Sequence, residues 1–177
     1  MALPDLAEAA NLAAYGYPPE AEAFLARASA RVRRYTRQQI TAGTSTVTLH
    51  AWPYRLPQRP VTAIVSVTSD GAHVPYHLGA AGVIEVYGTC GRPVVVEYQH
   101  GYDVVPDGLV ELVCSIAARM ATTPNAVGAG AQTEQAGGES ITWGYDAYAG
   151  TTGLTQAEQR ELDRMFPRLP STTFLRP

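Results

Sequence analysis

The sequence predicts an α+β protein: a small helical bundle with an inserted, mostly antiparallel β-sheet/hairpin block, a long loop and an extended C-terminal tail. Three observations predict it. Apolar residues recur at helical spacing up to residue 36 and again over 106–122. Between about 40 and 100 the period changes to two and β-branched residues dominate. From 123 to 153 neither period is present, and Gly, Ala, Thr and Gln fill the chain. A length of 177 residues fits a single domain, 1–177, with a core large enough to fold without a metal or disulfide staple.

The elements follow in order. Leu3 to Tyr15 is Ala-rich, with Leu6, Ala9 and Ala13 at helical spacing, and predicts a short helix ended by Gly16 and Pro18-Pro19. Pro19 suits the first turn of a second helix, where its missing N–H has no role. That helix runs to about Tyr35 and buries Ala21, Phe24, Leu25, Ala28, Val32 and Tyr35 along one stripe. Arg27, Arg31 and Arg34 line the other side, flanked by Arg33 and Arg37. This is either a solvated face or one that forks onto carboxylates of a neighbouring subunit.

The β block opens with the strict alternation of residues 46–51. Val61 to Thr68 is β-branched and leads into Asp70-Gly71, a hairpin turn signal because both positions need positive φ. Residues 83–87 and 94–98 are two further strands. A third helix starts near Pro106, with Leu109, Val113, Ile116, Ala117 and Met120 as its buried stripe. Residues 123–153 form a long loop, interrupted by Ile141-Thr-Trp143, Tyr145 and Tyr148. Between Arg119 and Arg160 every charge is acidic: Glu134, Glu139, Asp146 and Glu158. Thr155-Gln-Ala-Glu158 is a capping box and predicts a helix over 155–166. Pro167 ends it, and 167–177 is an extended tail with Phe174 and Leu175 as apolar anchors.

Composition narrows the function classes. The formal net charge is −3, which gives no electrostatic case for nucleic-acid binding. All 13 basic residues are Arg, and there is no Lys to complete a phosphate-binding loop at Gly128-Ala-Gly130. Ten Tyr against three Phe and two Trp suit half-buried surfaces and subunit contacts. Cys90 and Cys114 read as reduced thiols. No apolar run is long enough to cross a membrane and the N-terminus lacks a signal-peptide layout, so a soluble protein made in a cytoplasm is expected.

The search for chemistry yields no catalytic residue, no metal site and no cofactor site. No Gly-x-Ser-x-Gly elbow occurs. His73 and His77 with Asp70 are the best metal-binding combination, and a surface role is the simpler reading. Glu85 and Glu97 lie mid-strand and would meet only if their strands pair, while alternation sends both to a solvent face.

Three stretches then carry a resemblance. They are Ala28-Ser-Ala-Arg-Val-Arg-Arg-Tyr35, Leu56-Pro-Gln-Arg-Pro-Val-Thr-Ala-Ile-Val-Ser-Val67 before the Asp-Gly turn, and Val94-Val-Val-Glu-Tyr-Gln-His-Gly-Tyr-Asp-Val-Val-Pro106 opening an apolar helix. In this order, over about residues 3–122, they resemble the head-tail connector or adaptor (head completion) proteins of long-tailed bacteriophages. The resemblance implies a non-enzymatic subunit of the virion neck. It implies a homo-oligomeric ring of twelve copies beneath the portal protein, extending the DNA channel without binding DNA specifically. Tail or stopper proteins would dock on that ring, and no membrane is involved. Within that frame Arg27, Arg31 and Arg34 are the expected subunit interface. Glu134, Glu139, Trp143 and Asp146 mark a channel or clasp loop, and Leu169, Phe174, Leu175 and Arg176 a portal-binding tail. The competing readings are another virion protein, such as a β-dominated stopper or tail terminator, and a small ligand-binding or enzymatic α+β domain.

Overall fold

The computed structural model describes residues 3–50, 54–89, 91–122, 133–136, 139–142 and 153–167. The chain is α+β, and its contacts divide it into two compact units. One holds the N-terminal eight residues and Arg37–Glu111; the other holds Ala9–Thr36 and Leu112–Pro177.

The first unit contains two antiparallel sheets where the sequence suggested one. Strands β1 (Gly43–Leu49), β3 (Val61–Ser69), β4 (Ala72–His73) and β7 (Val94–His100) form a four-stranded sheet in the order β1-β7-β3-β4. Strands β2 (Tyr54–Arg55), β5 (Tyr76–Leu78) and β6 (Val83–Val86) form a second sheet in the order β2-β6-β5. The two share one core. Val67, Val94, Val96 and Tyr98 from the larger sheet pack with Tyr54 and Ile84 from the smaller, and Leu56 closes the cluster. Alternation does the sorting: along β7 residues 94, 96, 98 and 100 are buried while 95 and 99 are exposed. The Asp70-Gly71 turn is as predicted. Both residues have positive φ, 51° and 81°, and they join Ser69 to its partner Ala72 across a two-residue hairpin.

Polar side chains fasten the segment between β2 and β3. Buried Gln38 donates from Nε2 to the Pro57 carbonyl at 2.9 Å, and its Oε1 accepts from the Arg59 N–H at 2.8 Å. Gln58 Oε1 accepts from the Gln39 N–H at 2.7 Å, and the Gln58 N–H donates to the Tyr98 hydroxyl at 3.1 Å. The Leu56-Pro-Gln-Arg-Pro60 stretch is therefore held by amides and a phenol that satisfy its backbone groups away from any ladder. Burial raises the Tyr98 pKa, partly opposed by the Gln58 bond, so the phenol stays neutral.

The His100-Gly101-Tyr102 step brings two backbone segments into close approach. The Gly101 N–H donates to the Pro60 carbonyl at 2.9 Å, and Tyr102 exchanges bonds with Ile40 and Ala42 at 2.8 and 2.9 Å. Gly101 has φ +87°, and a Cβ there would run into the carbonyl of Thr41.

The second unit is helical. It contains α1 (Ala9–Ala14), a 3-10 turn (Pro19–Phe24) that continues into α2 (Leu25–Thr36), most of α3 (Asp107–Thr122), and α4 (Gln156–Met165). The first helix is shorter than Leu3–Tyr15. Leu6 and Ala7 are buried as part of the β unit, and a short Ala-rich helix has little stability of its own to oppose that. The second helix begins as a 3-10 turn because Pro18 offers no side-chain cap. Of its expected stripe, Ala21, Leu25, Ala28 and Val32 are buried, while Phe24 and Tyr35 are only half-buried. All five stripe residues of α3 are buried. The 123–153 stretch is more than loop, since Thr133–Ala136 (β8) and Glu139–Thr142 (β9) pair as an antiparallel hairpin.

Gly101→Ala is expected to destabilise the β unit by about 2 kcal/mol or more, combining left-handed strain with a backbone clash. Urea unfolding of the variant against the parent checks it; a midpoint unchanged within error would remove the constraint.

Candidate functional site

The residues singled out for chemistry are dispersed. His73 is on β4 and His77 on β5, in different sheets. Asp70 is taken by Arg92, Nη1 to Oδ2 at 2.9 Å, on an exposed surface. Glu85 lies opposite His77, whereas Glu97 lies opposite Thr46 and Ser66, so the two carboxylates are not brought together. Among the described residues no group of three His, Cys, Asp or Glu side chains is placed to hold a metal. Cys114 is a buried free thiol in α3; Cys90 lies outside the described residues. Among the described residues no helix is long and apolar enough to cross a membrane.

One pair with the look of chemistry was not legible in the sequence. The β1–β7 register puts Ser45 diagonal to His100, and Ser45 Oγ lies 2.8 Å from His100 Nε2. A nucleophile activated in this way needs access and a base oriented by a third group. His100 is 1% exposed, and its Nδ1 has no partner among the described residues. Burial also lowers its pKa, favouring the neutral ring. The pair is a buried polar contact on the core face of the sheet. The 55-residue separation leaves no local signal for it.

The polar cluster with a clear design lies in the helical unit, around the Gly153 carbonyl. Arg31 Nη1 on α2 donates to it at 3.0 Å, and Arg119 Nη2 on α3 donates to it at 3.3 Å. Arg119 also forks onto Glu158, with Nη2 at 2.9 Å from Oε2 and Nε at 3.2 Å from Oε1. Glu158 closes the predicted capping box, its Oε2 accepting from the Thr155 N–H while Thr155 Oγ1 accepts from the Glu158 N–H. One carboxylate thus caps α4 and anchors α3, and two guanidiniums share one carbonyl. Glycine is favoured at Gly153 by its φ of +70°, and the Arg31 guanidinium lies in the space a Cβ would take. Burial, then the neighbouring Arg27 and Arg119 charges, lower the Arg31 pKa, and Glu158 offsets part of this. A further tie joins α2 to α4, the Tyr35 hydroxyl donating to Asp163 Oδ2 at 3.0 Å.

This sorts the arginine face. Arg31 is half-buried and holds the end of the acidic segment within its own chain. Arg27 and Arg34 are exposed, Arg27 lying over the Phe24 ring at 5.9 Å. Of the loop residues, Glu134 is on β8 and Glu139 on β9, while Trp143 and Asp146 lie outside the described residues. So do Leu169, Phe174, Leu175 and Arg176.

No protein-family model matches the sequence, and no curated protein matches it. Solved chains that superpose on this one include two from particle necks. A chain from the neck of an empty GTA particle, computed with C6 symmetry, aligns with a TM-score of 0.51 and 20% identity, covering 75% of this chain and 86% of that one. A chain from the neck of a native GTA particle, computed with C12 symmetry, aligns with a TM-score of 0.46 and 17% identity, covering 78% and 90%. The first likeness shows a shared fold.

Two outcomes follow. Arg119→Met strands the nearly buried Glu158 carboxylate and is expected to cost about 2–3 kcal/mol, with partial recovery in Arg119→Met/Glu158→Gln. Arg34→Ala should stay within about 0.5 kcal/mol. Urea midpoints followed by helix circular dichroism compare the three. Separately, the folded-state pKa of His100 lies below its unfolded value near 6.5. The unfolded chain then binds the proton first, so this contribution is complete above about pH 6.5 and is lost as pH falls below it. His100→Gln should flatten the stability profile between about pH 7 and 5.5; equal slopes in both proteins would contradict the assignment.

Proposed function

We propose that the chain is a non-enzymatic structural subunit of a phage-like particle's neck, a head-tail adaptor that works as one copy in a ring. The supporting observation is the fold shared with a chain from the neck of an empty GTA particle. The order of the three motif stretches agrees with it. Two of those motifs are structural fasteners: Leu56–Pro60 is clamped by Gln38 and Gln39, and His100-Gly101-Tyr102 is the close backbone approach. They build the scaffold that an adaptor presents and perform no chemistry.

On this reading twelve copies form the ring under the portal, DNA passes through its centre, and tail or stopper proteins dock below. A closed ring joins unlike patches on successive copies. Arg27 and Arg34 supply cations for one patch, because they are exposed while Arg31 is committed within the chain. The segment carrying Glu134, Glu139, Trp143 and Asp146 forms the channel wall or clasps a neighbour. Its freedom from basic residues avoids a grip on phosphates. The tail bearing Leu169, Phe174, Leu175 and Arg176 docks on the portal as an extended segment.

Light scattering on the purified protein, alone and mixed with the portal of the same particle, tests the reading. A ring-sized species in either sample is expected; a chain that stays monomeric and ignores portal overturns it. The Arg27→Glu/Arg34→Glu variant should lose the ring at an unchanged unfolding midpoint. Truncation after Pro167 should abolish portal attachment.

A further inference from the structure

The four-stranded sheet has two free sides, and they differ. On the β3 side β4 covers Thr68 and Ser69, and the Val74 N–H donates to the Val67 carbonyl at 3.1 Å. The rest of β3 shifts register twice against β7, skipping Thr62 and Val65. Bulges of this kind bend an edge and spoil its spacing for another strand. On the other side β1 pairs with β7 over seven residues without a register shift. Its sequence, Gly-Thr-Ser-Thr-Val-Thr-Leu, contains no charge and no proline. Among the described residues no strand lies on its outer side. A flat, unguarded edge of this length is a template for further pairing.

The β8–β9 hairpin has the complementary deficit. Its strands have four residues each and, among the described residues, pair only with each other. A two-stranded ribbon is marginal in water and gains stability from a third strand. It is joined to α3 and α4 through residues 123–132 and 143–152, each of which spans at most about 36 Å when extended. The charges of the hairpin, Glu134 and Glu139, would meet no like charge on β1.

We propose that the β8–β9 hairpin of one copy adds to the β1 edge of the next, extending the four-stranded sheet by two strands across the subunit boundary. The inference rests on the ring reading and names its contact. Hairpin and edge are different patches, so the contact is heterologous and a rotation repeats it around a ring. Main-chain hydrogen bonds supply the attraction, which suits a segment with few apolar side chains.

Cysteine pairing in the full-length assembled chain tests it, with Cys90→Ser as background. Thr44, Thr46 or Thr48→Cys on β1 is combined with Glu134 or Gln135→Cys on β8, or with Ser140 or Ile141→Cys on β9. After oxidation, non-reducing electrophoresis is expected to show a ladder of multimers for at least one pair. A cross-linked monomer would place the hairpin on its own chain, and a dimer from a β1 cysteine alone would mean that β1 edges pair with each other. Either result, or no cross-link with any pair, overturns the proposal. Replacing 133–142 by a Gly-Ser linker is the second arm. It should leave the unfolding midpoint unchanged and abolish the ring. A ring that survives the replacement overturns this contact while leaving the adaptor reading intact; a parent that forms no ring, even with portal, overturns the reading itself.

Discussion

The β unit depends on a residue that has no side chain. At Gly101 the chain leaves β7 at φ +87° and passes so close to the Thr41 carbonyl that no Cβ fits. That approach lets one short segment bond to Pro60 on one side and to Ile40 and Ala42 on the other. The entrance to β1, the entrance to β3 and the exit of β7 are thereby fixed at one place. The register of three strands follows, and with it the sorting of Val94, Val96 and Tyr98 into the core.

The helical unit solves a similar problem with charge. Gly153 again admits a neighbour into the space of a side chain, here a guanidinium. Arg31 and Arg119 repel one another, and Glu158 makes their common attachment tolerable. Burying an ion pair is weak evidence for added stability, because desolvation opposes the attraction. Its clearer consequence is geometric: the start of α4 is positioned against α2 and α3 by forked bonds that accept few alternatives.

Local signals were legible and distant ones were not. The Asp70-Gly71 turn, the Thr155–Glu158 capping box and the stripe of α3 are each set by neighbours within a few residues, and the structure contains all three. Division of the β block into two sheets depends on which strand meets which, and alternation is silent on that. No local signal marks the bonds of Gln38, Gln58, Ser45 and Arg119, whose partners lie 19 to 55 residues away. The β8–β9 hairpin did leave a local trace: Gly137-Gly138 separates the two strands, a hairpin dipeptide. Strands of Thr, Glu, Gln and Ala without an apolar alternation hid it inside a stretch that reads as loop.

The two skipped residues of β3 have a consequence for how the sheet can be extended. A sheet receptive on both sides can recruit sheets indefinitely, the geometry of a fibril. With one side disfigured at Thr62 and Val65, and the other smooth, each molecule has a direction, as a tile with a single tongue has. Stacking edge on edge without limit is then closed to it, while a single smooth edge stays open to pairing.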